Sequence, residues 1–246
     1  MSVIYKPSGR AREYADLALN IYKGCEHRCE YCFGPATLRK KKEDFFSNPD
    51  PKKNIIDRLR RDAENWKEEK KPVLLSFVSD PYQAIDSKLE LTRQAIIILK
   101  KNGFPIKILT KAGTLAIRDF GILDSNDWFG VSLTCSLESE RKRLEPGAAI
   151  INDRINNLKW AKRCGLNTWV SLEPIISPTA TVELIKKTNK FVDHYKAGKL
   201  NYHQEAKQIE EVIGWDNVAN MIIDQLEQVN ADYYIKNSLK EHLEGN

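Results

Sequence analysis

Asn20–Pro35 reads NIYKGCEHRCEYCFGP and places Cys25, Cys29 and Cys32 within eight residues. Three thiolates this close repel one another unless a cation lies among them, which makes the segment a metal site on charge grounds. Two kinds of metal compete for it. Structural zinc takes four tetrahedral ligands, usually from two CxxC-like knuckles. Here there is one short cluster, and Cys135 and Cys164 lie more than a hundred residues further on. His27 would have to fold back sharply to complete a zinc set. An iron–sulfur cluster, by contrast, is held by cysteine thiolates, and three of them leave one iron open. The extended stretch from Cys25 to Cys32 spans at most about 25 Å, so the loop must curl round one small group.

Outward from this loop the chain has 246 residues, 41% apolar and 30% charged. That composition excludes a disulfide mini-protein, a collagen-like repeat and a disordered tail protein. The length suits a single domain, expected over 1–246, that buries a core without needing metal merely to fold. The balance of 39 Lys+Arg against 34 Asp+Glu gives +5, compatible with a phosphate-bearing partner. No run approaches the roughly 20 apolar residues of a membrane span. The start, MSVIYKPSGR, lacks the apolar core of a secretory signal. The expected location is therefore cytoplasmic, with no membrane partner, and reducing conditions there disfavour a disulfide framework.

Short β-rich runs recur at 18–22, 73–79, 106–110, 130–134, 168–172 and 191–195, with amphipathic stretches between them. Ile55, Leu59, Ala63 and Trp66 share one helical face, as do Ile151, Ile155 and Leu158. Ser87 with Glu90 reads as a capping box opening the helix that holds Ala95–Leu99. Strands separated by single helices imply βαβ units and a parallel sheet. Periodicity alone does not separate a partial barrel from an open doubly wound sheet. Beyond Tyr195 the pattern predicts a polar loop over 196–203, helices over 205–213 and 216–229, a short run 233–235 and a polar tail. The runs Lys40–Lys42 and Lys67–Lys71 read as solvated surface or as contacts to nucleic acid.

Cys25-x3-Cys29-x2-Cys32, with Tyr31 before the third cysteine, resembles the signature of the radical S-adenosylmethionine (radical SAM) superfamily. The resemblance implies an α/β fold, a partial (β/α)6 barrel over about 18–196 with a helical C-terminal extension over about 197–246. It implies a 4Fe–4S cluster on the three cysteines, with S-adenosylmethionine (SAM) chelating the open iron. It further implies reductive cleavage of SAM to a 5′-deoxyadenosyl radical that abstracts hydrogen from a substrate, with electrons from a reductant of flavodoxin or ferredoxin type.

Parallel barrels gather ligands where strand C-termini meet their loops. At those positions stand Ser79, Asp80 and Tyr82 in SFVSDPYQ, Lys111 in ILTKAG, Ser132 and Cys135 in VSLTCS, Arg143 and Glu145 in RKRLEPGA, and Ser171 and Glu173 in VSLEPII. In this order, and with Arg154 opening a helix, the segments are similar to the spore photoproduct lyase-like, DNA repair photolyase-like branch of that superfamily. Carried over by position, the resemblance has Ser79 and Asp80 contact the SAM amino group. Lys111, Ser132 and Arg143 would hold its carboxylate or ribose, and Glu145 the ribose hydroxyls. Tyr31 and the backbone near Phe33 would touch adenine, with Glu173 also on the cofactor. A local surface ion pair is the other reading of Arg143 with Glu145.

Only 24 residues precede Cys25, and no cysteine occurs between Cys32 and Cys135. Repair of the thymine lesion is therefore not expected. The resemblance points instead to another nucleobase, nucleotide or nucleic-acid substrate, with lyase, isomerase and transferase chemistry all open. A peptide substrate or a glycyl-radical partner is the alternative, and a non-enzymatic zinc or iron–sulfur module the rival from another class. Cys135 either returns hydrogen to a substrate radical or is buried and inert. Cys164, Trp160, Trp169 and Trp215 are expected to pack in the core, whereas Trp128 and Tyr82 are candidates for stacking on a base. His194, His203, Lys196 and Lys199 are candidate groups near the sixth strand without fixed partners.

Overall fold

A computed structural model describes residues 2–243. Seven strands form one parallel sheet: β1 Leu17–Leu19, β2 Val73–Leu75, β3 Ile106–Thr110, β4 Trp128–Ser132, β5 Asn167–Ile175, β6 His194–Lys199 and β7 Asp232–Ile235. Each strand pairs with the next in chain order, so β1 and β7 are the two edges and the sheet is curved without closing. Helices return the chain on one face: α1 Ile55–Glu64, α2 Leu91–Lys101, α3 Ile151–Arg163, α4 Pro178–Thr188 and α5 Trp215–Gln228. Such crossovers pack back onto a right-twisted sheet, which is why apolar runs alternate with amphipathic helices in the sequence.

Strand alternation sorts the side chains into two sets. Leu17, Leu19, Val73, Leu75, Ile106, Ile108, Phe129 and Val131 join the large core beneath the helices. The opposite, inner wall carries Ala18, Leu74 and Trp169, with Tyr14, Phe77, Leu109 and Trp128 against them. Trp169 lies flat over Gly130, where a Cβ would stand 2.3 Å from the indole nitrogen. That nitrogen donates to the Ile108 carbonyl at 2.9 Å.

Residues 5–14 cross the gap between the edges. Tyr5 makes a two-bond antiparallel bridge to Ala18 on the free edge of β1, at 3.0 and 2.9 Å. At the other end Glu13 Oε1 accepts from Tyr234 Oη at 3.1 Å and from the Asn237 amide at 2.8 Å, beside β7.

Six strands are expected from the sequence and seven are present. The run at 233–235 lies within β7, so the region from 197 onward is not only helical; its last three residues lie outside the described ones. β6 extends to Lys199, and the expected loop therefore begins with strand. The capping box does not form: Ser87 Oγ donates to the Ala84 carbonyl at 2.8 Å, and Glu90 takes a left-handed φ of 49° between two helices. Trp160 is 50% exposed and Cys164 is exposed, because Ile151, Ile155, Leu158 and Ala161 already make the buried stripe of α3. Trp169 and Trp215 are core residues as expected. No helix among the described residues is long and apolar enough to cross a membrane.

Lys107 on the inner wall gives the fold a measurable cost. Its Nζ donates to the Tyr14 carbonyl at 3.1 Å and stands 4.5 Å from the Trp169 ring centre. Burial, reinforced by Lys196, pushes its ammonium down to about 7. An unfolded lysine keeps its proton to about 10.4, so the unfolded chain binds more protons in between and stability rises with pH over that window. Lys107→Met is expected to stabilise the fold at pH 7 by on the order of 2 kcal/mol, or about 4–8 °C in Tm. The gain should fade by pH 10. Thermal unfolding at both pH values checks this, and a gain that does not change with pH would refute the account.

Candidate active site

The cysteine loop follows β1 and is tied down on several sides. Tyr22–Lys23 pair antiparallel with Asp50–Pro51. Gly24 then turns at φ 86°, where a Cβ would meet the Phe45 carbonyl oxygen at 2.4 Å, so only glycine fits. The Cys25 amide donates to that same oxygen at 3.2 Å. Gln83 Oε1 accepts the Glu26 amide at 2.9 Å, and the Glu26 carboxylate accepts the Ile85 amide at 2.9 Å. On the far side Gly147 and Glu30 bind the loop to the helix Glu138–Leu144 and its exit, through Gly147 N to His27 O at 3.0 Å and Glu30 N to Leu144 O at 2.8 Å. The Cys32 amide donates to the Cys29 carbonyl at 3.1 Å, which closes the curl.

Cys25 and Cys29 are 9% and 7% exposed, and Cys32 is half-buried. Burial pushes the Cys29 thiol up to about 12 and raises Cys25 and Cys32 as well. Neighbouring cysteines raise Cys25 and Cys29 further, while Lys111 favours the thiolates of Cys29 and Cys32. These sulfurs ionise only with a strong cationic partner.

Asp80 sits beside them and accepts three hydrogen bonds. Its Oδ1 accepts from the Tyr82 amide at 2.9 Å and Thr110 Oγ1 at 2.7 Å, and its Oδ2 from the Lys111 amide at 2.7 Å. It thereby joins the β2 loop to the end of β3, with His27 Nε2 at 3.8 Å. Ser79 Oγ donates to the Tyr22 carbonyl at 3.4 Å. Burial alone would lower the Lys111 ammonium, yet Cys29, Glu145 and Asp80 hold it above its ordinary value. Its Nζ stands 5.6 Å from the Tyr31 ring centre.

Glu145 is the electrostatic anchor behind the loop. It is fully buried, its Oε2 lies 2.6 Å from Arg154 Nη1, and its Oε1 accepts from Thr134 Oγ1 at 2.7 Å and from Tyr31 Oη. Burial would raise its carboxyl, but Arg154 and Lys111 outweigh that and hold it at about 2. Arg154 also donates to the Ser132 carbonyl at 3.1 Å and the Ala149 carbonyl at 2.9 Å. Its Nη2 is buried without an acceptor among the described residues.

The mouth thus brings together Cys25, Cys29, Cys32, Tyr31, Asp80, Lys111, Ser132 and Glu145. Arg143 is elsewhere: its side chain is 57% exposed and pairs with Glu205 at 2.9 Å, not with Glu145. Glu173 belongs to a second network, 2.7 and 3.0 Å from Lys236 Nζ and bonded to Tyr14 Oη, which also meets Ser171 Oγ at 3.0 Å. Phe33 is 49% exposed, its ring 5.3 Å from Phe77. Cys135 packs in the outer core, its thiol pushed up to about 11 by burial and Glu145. Tyr82 is buried and Trp128 starts β4, at the end away from the mouth. His194 is likewise remote, 2.7 Å from Asp232 at the start of β6. Arg154 as the partner of Glu145, Tyr14 and Lys236 are absent from the sequence expectations. A charge directly after an apolar strand, the rule that finds Lys111 and Glu173, also reaches Lys236 once 233–235 is taken as strand.

The radical SAM superfamily model matches residues 19–192. The chain belongs to the radical SAM superfamily. Similar curated proteins are uncharacterized: one from Methanocaldococcus jannaschii is 28% identical over 191 residues, 76% of this chain and 71% of that protein. Another, from Mycobacterium tuberculosis, is 29% identical over 167 residues, 64% of this chain and 49% of that protein. The chain thus spans about half the length of its mycobacterial relatives. Among solved structures, a spore photoproduct lyase mutant superposes with a TM-score of 0.72 at 14% identity, covering 94% of this chain and 78% of that one. Another mutant of that lyase, with bound AdoMet and dinucleoside spore photoproduct, gives 0.71 at 14% identity over 94% and 78% of the two chains. Streptococcus suis SuiB bound to S-adenosylmethionine gives 0.63 at 16% identity over 89% and 50%. These likenesses establish the radical SAM fold.

Membership of the radical SAM superfamily implies a 4Fe–4S cluster and SAM, and the donor set fits both. No three His, Cys, Asp or Glu side chains among the described residues stand together as a site for one metal ion. In a cubane cluster each thiolate takes a different iron, and three thiols on one curled loop, two buried and Cys32 half-buried, suit that demand. Lys111 Nζ has no protein acceptor among the described residues, which leaves a fixed cation spare for a carboxylate.

Proposed function

We propose that this chain is a radical SAM enzyme acting on a nucleobase, nucleotide or nucleic acid. The carrying observation is the placement of Cys25, Cys29 and Cys32 at the C-terminal mouth of the sheet, beside a Lys111 ammonium with no hydrogen-bond acceptor among the described residues. When bound, the cluster supplies the electron that splits SAM reductively so that hydrogen is abstracted from a substrate. The three thiolates would each hold one iron. Lys111 would receive the SAM carboxylate, and Ser79 with Asp80 would line the side that takes its amino group. Glu145 has its oxygens committed to Arg154, Tyr31 and Thr134, so its role is to position the loop rather than to grip ribose. Arg143 is given no cofactor contact, and Cys135 is assigned to packing. Glu173, Tyr14 and Lys236 form a polar floor on the inner wall.

The substrate class rests on the half-exposed Phe33, which lies against Phe77 and offers an aromatic face to a base. A base within a duplex would have to be flipped out at a cost of a few kcal/mol. Anaerobically reconstituted protein is expected to turn brown, bind iron and release 5′-deoxyadenosine from SAM under dithionite. Deuterated oligonucleotides or nucleosides should pass deuterium into that 5′-deoxyadenosine. Transfer from a peptide and not from any nucleic-acid component would move the substrate to the alternative class.

A further inference from the structure

The carboxylates around the hollow differ in how much of each is left open. Asp80 already accepts three hydrogen bonds, and Glu145 is enclosed by Arg154, Tyr31 and Thr134. Glu13 accepts from Tyr234 and Asn237 at one oxygen, and its other oxygen is buried. Glu173 is the most open of the four: its side chain is 18% exposed, against 9% for Asp80 and for Glu13 and none for Glu145. It shares the inner face of β5 with Trp169 and Ser171. Gly198 of β6 makes room for it, since a Cβ there would stand 2.8 Å from the Glu173 carboxyl carbon. The side chain thus crosses β6 to Lys236, which donates to Oε1 at 3.0 Å and to Oε2 at 2.7 Å, while Tyr14 Oη also donates to Oε2. Lys196, another cation on this wall, donates to the Glu13 carbonyl instead. An ionised carboxylate offers about two acceptor positions on each oxygen. Oε2 is therefore filled, and Oε1 keeps one position that no hydrogen bond among the described residues takes up. Rings run from this carboxylate toward the cysteine loop: Tyr14 lies 5.8 Å from Phe77, and Phe77 5.3 Å from Phe33, the residue after Cys32.

We infer that Glu173 selects the substrate base, favouring one that carries an exocyclic amino group over thymine and uracil. The inference rests on the nucleobase reading above and deepens it. A base resting against this row of rings turns one edge toward Glu173. The open position on Oε1 calls for an N–H donor, and a hydrogen bond to an ionised oxygen is stronger than one between neutral groups. Cytosine and adenine present an amino group at that edge, and a carboxylate is a suitable acceptor for it. Thymine and uracil put a carbonyl there, whose lone pairs face those of the carboxylate, and their single ring N–H lies between two carbonyls. Such a base leaves Oε1 unpaired on binding, a mismatch that a polar site rejects strongly. A role confined to joining β5 to β7 through Lys236 would not require an open oxygen; Glu145 makes its ion pair with Arg154 fully enclosed.

The test uses reconstituted holoenzyme with SAM and no reductant, so that ligands bind without turnover. Calorimetry compares cytidine with uridine and adenosine with inosine, pairs that exchange an amino group for a carbonyl. The same pairs are run as 5′-monophosphates and within short single-stranded oligonucleotides. The amino member is expected to bind about 30-fold more tightly. Glu173→Gln keeps the size of the side chain but offers an amide that both donates and accepts, so the preference should fall below about threefold with iron content unchanged. Tyr14→Phe leaves the carboxylate in place and should preserve the ratio, whatever it does to both affinities. Should Glu173→Gln lose iron, the double variant with Lys236→Met removes the stranded ammonium and is read in the same way. Equal affinity within each pair in the wild type, or a preference that survives Glu173→Gln, would overturn the inference. No binding in any of the three forms would overturn the nucleobase reading along with it. A protein that discriminates in this way but does not cleave SAM under dithionite would defeat the proposed activity and leave the role of Glu173 standing.

Discussion

Cys32→Ala is expected to abolish 5′-deoxyadenosine release, by at least about three orders of magnitude, and to remove most of the bound iron, while the far-UV spectrum stays native. Cys32 is half-buried and outside the hydrophobic core, and its sulfur accepts from the Gly34 amide at 3.4 Å. On the proposed role of the loop, removing it would cost a ligand to one corner of the cluster and little packing. Cys25→Ala and Cys29→Ala should match it in activity but also lose some packing, since both thiols are buried. Iron analysis of oxygen-free preparations alongside SAM turnover decides the matter. A Cys32→Ala protein with full iron and turnover would end the cluster assignment.

Glu145→Ala is expected to destabilise the fold by roughly 3–5 kcal/mol, because it strands Arg154 as an uncompensated buried charge. For a chain of this size that is about 10 °C in Tm. The same residue gives the protein an acid limb. Glu145 ionises at about 2 in the folded chain and near an ordinary carboxylate value when unfolded. Its contribution is therefore complete above about pH 5 and is lost as pH falls toward 2. Glu145→Ala should flatten this part of the stability curve, and a double variant with Arg154→Met should recover part of the lost Tm. Denaturant titrations at pH 3, 5 and 7 read both effects. A single variant as stable as wild type would show that Arg154 finds another acceptor.

Six of seven strands were legible as apolar runs, because each carries an outward-facing pair for the helix-side core, such as Ile106 with Ile108. Asp232–Ile235 gave little signal, since none of its residues is fully buried. Strand ends shifted by several residues, as at 191–195 against His194–Lys199, where Phe191 belongs to the turn after α4. The cysteine loop and the position of Lys111 were also readable, because ligand spacing and strand-end charge are local properties. Pairings were not. Arg143 and Arg154 are equally basic, and only the phase of two helices sends the first outward to Glu205 and the second inward to Glu145. Glu173 lies two residues inside the end of β5, and its partners Tyr14 and Lys236 come from opposite ends of the chain.

The bridge across the sheet's gap has a consequence for biosynthesis. Glu13 is held by groups 221 and 224 positions away. That fastening cannot form until the ribosome has released the stretch through residue 237, well after Cys32 and the first five strands have emerged. Each nascent molecule therefore passes through a stage in which the hollow of the sheet is unsealed while all three loop sulfurs are already available.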